Sequence, residues 1–166
     1  MDTLFVHPRI GRAAAEFLGK KHRLFIGGKW VDAKSGKTFD TYDPGTGRVI
    51  GQVAEGDAAD TDAADAAARQ AFESGPWSRM SPGERGKLMW KLAELIDANG
   101  DELAELESLN NGKPLATARL GDVAGSAEMP RYTSGWATKI TGETLSVSAP
   151  GNYHTFTLRE PIGVVG

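Results

Sequence analysis

The apolar positions of this chain change period three times, and each change predicts a different kind of element. "RLFIGGKWV" carries two short apolar runs around Gly27 and Gly28, which predicts a two-residue hairpin turn. "KTFDTYD" sets Phe39 and Thr41 on one face against Thr38, Asp40 and Tyr42 on the other. "DPGTG" supplies dense turn chemistry, and "RVIGQV" predicts the returning strand. Together these runs predict a small antiparallel β unit. From Ala58 the period becomes helical. Ala63, Ala64, Ala67, Ala68, Ala71 and Phe72 share a face, and such small residues predict close packing against another element. "SGPW" ends this helix. "SPGE" at 81–84 predicts a capping box with Pro82 at the first helical position. The helix it opens has Leu88, Met89, Leu92, Leu95 and Ile96 on one stripe, and Asn99-Gly100 stops it. Leu103, Leu106 and Leu109 mark a further helix ending at Asn111-Gly112. A last helix is predicted over 117–139. Gly121 and Gly125 lie inside it, each at a cost of about 1 kcal/mol relative to alanine.

Alternation returns after Gly142. "ETLSVS" places Leu145 and Val147 on one face. "NYHTFTLRE" places His154, Phe156 and Leu158 on one face, with Tyr153, Thr155, Thr157 and Arg159 on the other. "APGN" is the turn between them. The pattern predicts a hairpin with free edges, a surface suited to pairing with another chain. "IGVVG" reads as a strand buried on both faces of a parallel sheet. Residues 1–21, with Pro8, Gly11 and Gly19 around "AAAEFL", read as a loosely attached arm carrying a helix. The expected organisation is therefore an arm (1–21), a β unit with a helical layer (22–141), a hairpin (142–160) and a core strand (161–166). The fold class is α/β.

Composition narrows the partners. The 166 residues are 40% hydrophobic and 25% charged, which fits a globular chain. A net charge of -3 offers no basic surplus to displace phosphate counterions, so no nucleic-acid partner is expected. No apolar run is long enough for a membrane span, and no charged segment leads into an apolar one as in a signal peptide. Cysteine is absent. That excludes disulfides and any thiol nucleophile within these residues, and a cytoplasmic setting is expected.

Candidate chemistry is sparse. "KSGKTFD" lacks the earlier glycine of a phosphate loop and precedes a strand, so it reads as a turn. "NGKP" has Pro114 where the loop's Ser or Thr would stand. His7, His22 and His154 have no metal-site spacing, and His154 reads as a packed or paired strand residue. Glu102, Glu105 and Glu107 read as a solvated helix face. No serine sits on a Gly-x-Ser-x-Gly elbow. "GVVG" could open a dinucleotide fingerprint, yet the glycine loop that must follow the strand is missing.

The segments "LFIGGKWV", "YDPGTGRVIGQV", "WSRMSPGERGKLMWKLAELI", "ELESLNNGKP", "RYTSGWATKITGETL" and "LREPIGVVG" run in this order over 24–166. Together they resemble the N-terminal part of NAD(P)-dependent aldehyde dehydrogenase subunits. "GSAEMPRYTSGWATK" and "YHTFTLREP" are most similar to the bacterial phenylacetaldehyde dehydrogenases. The resemblance implies that residues 22–141 build the outer part of an incomplete Rossmann-like cofactor domain. It implies that 142–160 is an oligomerisation arm of a dimer or tetramer, and that 162–165 is the first core strand. It also implies oxidation of an aldehyde to a carboxylic acid with NAD or NADP, through a catalytic cysteine and a glutamate that the family places beyond Gly166. No catalytic or cofactor-binding residue is accordingly expected in this chain, which alone should be inactive and bind no cofactor. It reads either as an N-terminal fragment of the enzyme or as a truncated, non-catalytic assembly module that pairs through its hairpin.

Two local roles come with the resemblance. The helix over 117–139 lines the tunnel by which aldehyde reaches the cysteine. Gly121 and Gly125, four apart on one face, stand where relatives often carry larger side chains. They either widen the tunnel for a bulky aldehyde, such as an aromatic one, or permit close helix packing. Many relatives bind a monovalent cation just before "NGKP" and near the strand ending at Tyr42. Asn110 there offers a carbonyl oxygen without a charge; otherwise it reads as an ordinary helix C-terminal asparagine. Trp136 reads as packing, and Arg159 and Glu160 as holding the hairpin to the body.

Overall fold

A computed structural model describes residues 10–166 of the chain. The expectations placed on His7, Pro8 and the absence of a leader lie outside the described residues. Helix α1 (Arg12–Leu18) precedes two hairpins. In the first, β1 (Leu24–Ile26) and β2 (Lys29–Val31) pair Ile26 with Lys29. Gly27 and Gly28 make the turn at φ +59° and +78°, the left-handed pair that a type I′ turn requires. In the second, β3 (Thr38–Asp43) and β4 (Arg48–Ala54) run antiparallel, with a bulge between Thr41 and Tyr42. Asp43 pins the turn between them, its buried carboxylate accepting from the Gly45 N–H and the Thr46 hydroxyl, each at 2.8 Å. The main chain at His22 bridges to Val53, and its carbonyl accepts from the Ala54 N–H at 2.9 Å. The predicted β unit is present as two linked hairpins.

Helix α2 (Ala58–Ser74) starts at a reciprocal capping box of Asp57 and Asp60. Asp60 is only 4% exposed; its carboxylate accepts from the Asp57 N–H at 3.1 Å and from the Lys34 N–H at 3.1 Å. The box thereby ties the helix to the loop after β2. The alanine face does not find the close partner expected of it. Ala63 and Ala67 are half-buried, whereas Ala64, Ala68, Ala71 and Phe72 are exposed. Around Gly27, the turn after β1 comes close to Ala67 on this face. After Gly75 a short helix α3 (Pro76–Arg79) forms, which the sequence pattern did not predict.

Helix α4 (Pro82–Ala98) starts at the predicted box. The Ser81 hydroxyl accepts from the Glu84 N–H, and the Glu84 carboxylate accepts from the Ser81 N–H at 2.8 Å. Its apolar stripe divides. Met89 and Ile96 turn inward beside the fully buried Ala93, while Leu88, Leu92 and Leu95 are exposed. A helix apolar on two faces is one built to be covered on both. Helix α5 (Gly100–Asn111) follows directly. α4 ends at Ala98 with Asn99 as its C-cap, as the reading of Asn99-Gly100 expected, while Gly100 itself is not left-handed and becomes the first residue of α5. Gly112 does take the left-handed form, at φ +80°, and ends α5 as expected.

The predicted last helix is a composite rod: α6 (Leu115–Thr117), a π-helical turn (Ala118–Val123), α7 (Ala124–Ser134) and a 3-10 turn (Gly135–Thr138). α4 and α7 pack against each other, with Ala93 and Ala127 fully buried. One apolar cluster joins Leu18, Ile50 and Leu109. A second joins Ala104, Ala118 and Val123, with Ile96 against it.

The hairpin is shorter than the alternation predicted. β5 (Thr144–Leu145) and β6 (Thr155–Phe156) form two rungs, Thr144 opposite Phe156 and Leu145 opposite Thr155. The bonds Thr157 N–H to the Glu143 carbonyl and Glu143 N–H to the Thr157 hydroxyl, each 2.9 Å, extend it by a step. Residues 161–166 form no strand, and Ile162 is 94% exposed. A strand exists only beside a hydrogen-bonded neighbour, and no ladder pairs this segment with another described strand. No parallel sheet occurs among the described residues; the three ladders are all antiparallel.

Candidate functional site

The rod's place is fixed from α5 outward. The missing side chain of Gly112 leaves room for Pro44, which a Cβ would meet at 2.7 Å. The Ser108 hydroxyl then donates to the Lys113 carbonyl at 2.7 Å. This sets Lys113 so that its Nζ lies 2.6 Å from Asp122 and 3.1 Å from Glu107. Asp122 first, then Glu107, raises the Lys113 pKa by hydrogen bonding to its charged form. Arg119 crosses Gly100 to reach Asp101 at 2.8 Å. Arg131 bonds Asp97 at 2.5 Å and Glu128 at 3.1 Å, and its guanidinium lies 5.5 Å from the centre of the Trp90 ring. Three cations thus fasten one side of the rod to α4 and α5.

The other side is uncovered. Leu120 is 78% exposed, and Met129, Tyr132 and Trp136 are exposed with it. Gly121 and Gly125 share this open side, and a Cβ added to either would meet no atom within 4 Å. The reading that these glycines permit close helix packing finds no neighbour among the described residues. Trp136, expected as packing, is likewise half uncovered.

Asn110 and Tyr42 come together as far as their elements do. Asn110, in the last turn of α5, accepts a hydrogen bond from the Thr41 hydroxyl at 3.0 Å, one residue before Tyr42. The Asn110 side-chain oxygen is therefore already engaged, and the Tyr42 ring is exposed. Beside this junction lies an open cleft of about 720 Å³, with Phe17, His22, Trp30, Ile50 and Asn110 among its lining residues.

Among the described residues no three of His, Cys, Asp and Glu gather as a metal site. His22 packs tilted against Phe17 with ring centres 4.7 Å apart, and His154 against Phe156 at 5.6 Å. Gly36 sits in an open turn between β2 and β3, so the phosphate-loop resemblance there ends in a turn as expected. Two of the three α5 glutamates do more than face solvent. Glu105 accepts from the Gly11 N–H at 2.8 Å at the start of α1, and Glu107 pairs with Lys113. Helical spacing alone cannot reveal partners that lie 94 positions away. Arg159 donates to the Thr141 carbonyl at 3.2 Å, bracing the hairpin's own base. Among the described residues no glycine loop joins a parallel strand to a helix. No described helix is long and apolar enough to cross a membrane.

Comparison with known proteins agrees with this architecture. Phenylacetaldehyde dehydrogenase of Pseudomonas fluorescens is 44% identical over 156 residues, 92% of this chain and 31% of its own length. Aldehyde dehydrogenase 1A1 of Homo sapiens is 47% identical over 145 residues, 87% of this chain and 28% of its own. An NAD+ complex of aldehyde dehydrogenase from Bacillus cereus superposes with a TM-score of 0.86 at 43% identity, covering 96% of this chain and 31% of that one. The chain spans about 30% of the length of such relatives. With residues 30–166 matching the aldehyde dehydrogenase family from β2 onward, the chain belongs to that family.

Proposed function

We propose that these residues serve a subunit that oxidises an aldehyde to a carboxylic acid: RCHO + NAD(P)+ + H2O gives RCOOH + NAD(P)H + H+. Within it they shape the aldehyde's approach and the contact between subunits. The observation that carries this reading is the open glycine side of the rod. Gly121 lies in a π-helical turn, and such turns concentrate at functional positions. Gly125 follows one turn on, with Met129, Tyr132 and Trp136 supplying apolar and aromatic surface beyond it. A path bordered by two absent side chains suits a bulky aromatic aldehyde. The kinship with a phenylacetaldehyde dehydrogenase supports the same class.

In this reading the catalytic cysteine belongs to other residues of such a subunit, since the chain has none, and the cofactor is held there with it. The 166 residues alone are then inactive. A monovalent cation beside Tyr42 would share the Asn110 oxygen with Thr41 and rely on main-chain carbonyls for the rest. The hairpin, 142–160, is the arm that builds a dimer or tetramer; exposed Leu145, Phe156 and Leu158 and a ladder of two rungs leave it open to a neighbour. The setting proposed for such a subunit is cytoplasmic.

Gly125→Met in the full-length subunit tests the substrate reading. Its kcat/KM for phenylacetaldehyde should fall about tenfold relative to acetaldehyde, the scale on which pocket volume discriminates. An unchanged ratio overturns it. A second reading, a non-catalytic module that pairs through the hairpin, draws on the same free edges and the missing cysteine. Mixing this chain with a separately made C-terminal portion separates the two, because restored aldehyde oxidation supports only the enzyme.

A further inference from the structure

We propose that Lys113 is a positioning residue for aldehyde selectivity, acting by holding the π-helical turn in the register that keeps Leu120 beside the open Gly121 and Gly125; the proposal rests on the substrate path argued above. Ala118 and Val123 are five residues apart, which on an α-helix sets side chains about 140° apart. Both are nonetheless buried in one cluster against Ala104. The wider π turn is what brings them to the same side. In an α-helical register Asp122, not Val123, would fall nearest to Ala118's face. Lys113 draws Asp122 away from that position at 2.6 Å, with Glu107 at 3.1 Å steadying the ammonium from α5. The Lys113 backbone is itself held by Ser108, and Gly112 is seated on Pro44. The cation therefore stands at a fixed point and chooses which of two neighbouring residues turns to the core.

The downstream half of the rod cannot follow a change of register freely. Ala127 is buried between α7 and α4, and Arg131 is tied to Asp97. Loss of the Lys113 pairing would thus turn Leu120 relative to a stationary Gly125: Gly121, four residues away, would keep its side, but Leu120, five away, would swing from it by about 140°. The apolar wall that Leu120, 78% exposed, adds beside the two glycines would be lost to a bulky aldehyde.

The test uses Lys113→Met, Asp122→Asn and Lys113→Arg in the full-length subunit, beside Gly125→Met. The first two should speed amide hydrogen exchange over 118–123 and shift the phenylacetaldehyde-to-acetaldehyde ratio of kcat/KM by about fivefold, carried by KM. Lys113→Arg, which keeps a cation between two carboxylates, should stay near the parent in both readouts. Where Lys113→Met yields no folded protein, Asp122→Asn decides the matter, since it removes the charge and keeps the shape. Unchanged exchange, faster exchange with an unchanged ratio, or Lys113→Arg behaving like Lys113→Met overturns the proposal. If Gly125→Met moves the ratio and the Lys113 and Asp122 variants do not, the clamp falls and the substrate path stands. If none of them moves it, both fall.

Discussion

Gly100 and Gly112 each follow an asparagine, and the sequence pattern treats both as helix terminators. Their neighbours separate them. Gly112 is left-handed and faces the Pro44 ring, whereas Gly100 opens a helix beneath the flexible end of Arg119. Gly112→Ala should lower stability by about 1–2 kcal/mol from backbone conformation alone, with the clash against Pro44 adding to it. Gly100→Ala should change stability by under about 0.5 kcal/mol, because helix propensity offsets a shift of the guanidinium. Chemical denaturation of the two variants checks the contrast, and equal losses would contradict it. The left-handed turn at Gly27-Gly28 was legible because its two flanking runs are local. The difference between Gly100 and Gly112 was not, because it depends on Arg119 and Pro44, far along the chain.

Two helices begin at reciprocal boxes, and the two differ in burial. Ser81 and Glu84 lie at the surface, while Asp60 is buried and also holds the Lys34 N–H. Ser81→Ala should cost about 1 kcal/mol. Asp60→Ala, which strands two N–H groups, should cost about 2–3 kcal/mol. The Ser81 hydroxyl, then the Ser81 N–H, holds the Glu84 carboxyl below its ordinary value of 4.5. Its contribution is complete above that value and is lost as pH falls through the lower folded one. Helix content followed by circular dichroism from about pH 6 to about pH 3 should therefore drop more in the parent than in Ser81→Ala. For Lys113 the sign reverses: its contribution is complete below the ordinary 10.5 and is lost as pH rises through the higher folded value. "SPGE" announced its box because serine, proline and glutamate each carry a start signal. The Asp57–Asp60 box went unread because aspartate replaces the usual Glu or Gln at its third position. The π turn left no signal at all, since Gly121 and Gly125 blur the period just where it slips by one residue.

The chain exposes 12187 Å², where a compact monomer of 17.7 kDa exposes roughly 7,900 Å². The buried apolar set is small for this length, and Ile50 is its largest fully buried side chain. Leu88, Leu92 and Leu95 on α4, the open side of the rod, and the hairpin all add exposed apolar surface to the total. Such contiguous apolar surface marks contact with further protein. The 166 residues in isolation should bind a hydrophobic dye and self-associate in light scattering, while a monodisperse, cooperatively unfolding monomer at high concentration would contradict this. The helical stripes were legible from spacing alone. Which of them this chain covers was not, because the alanines of α2 and the leucines of α4 look the same whether their partner is near or absent. The π turn at Ala118–Val123 has one last consequence, for tolerance of deletion. Removing one residue there would close the loop of the turn into an ordinary helix and leave the parts before and after it facing as they do now. The same loss in α7 would swing everything beyond it by about 100°. The rod thus has one place along its length where it can shorten without being re-aimed.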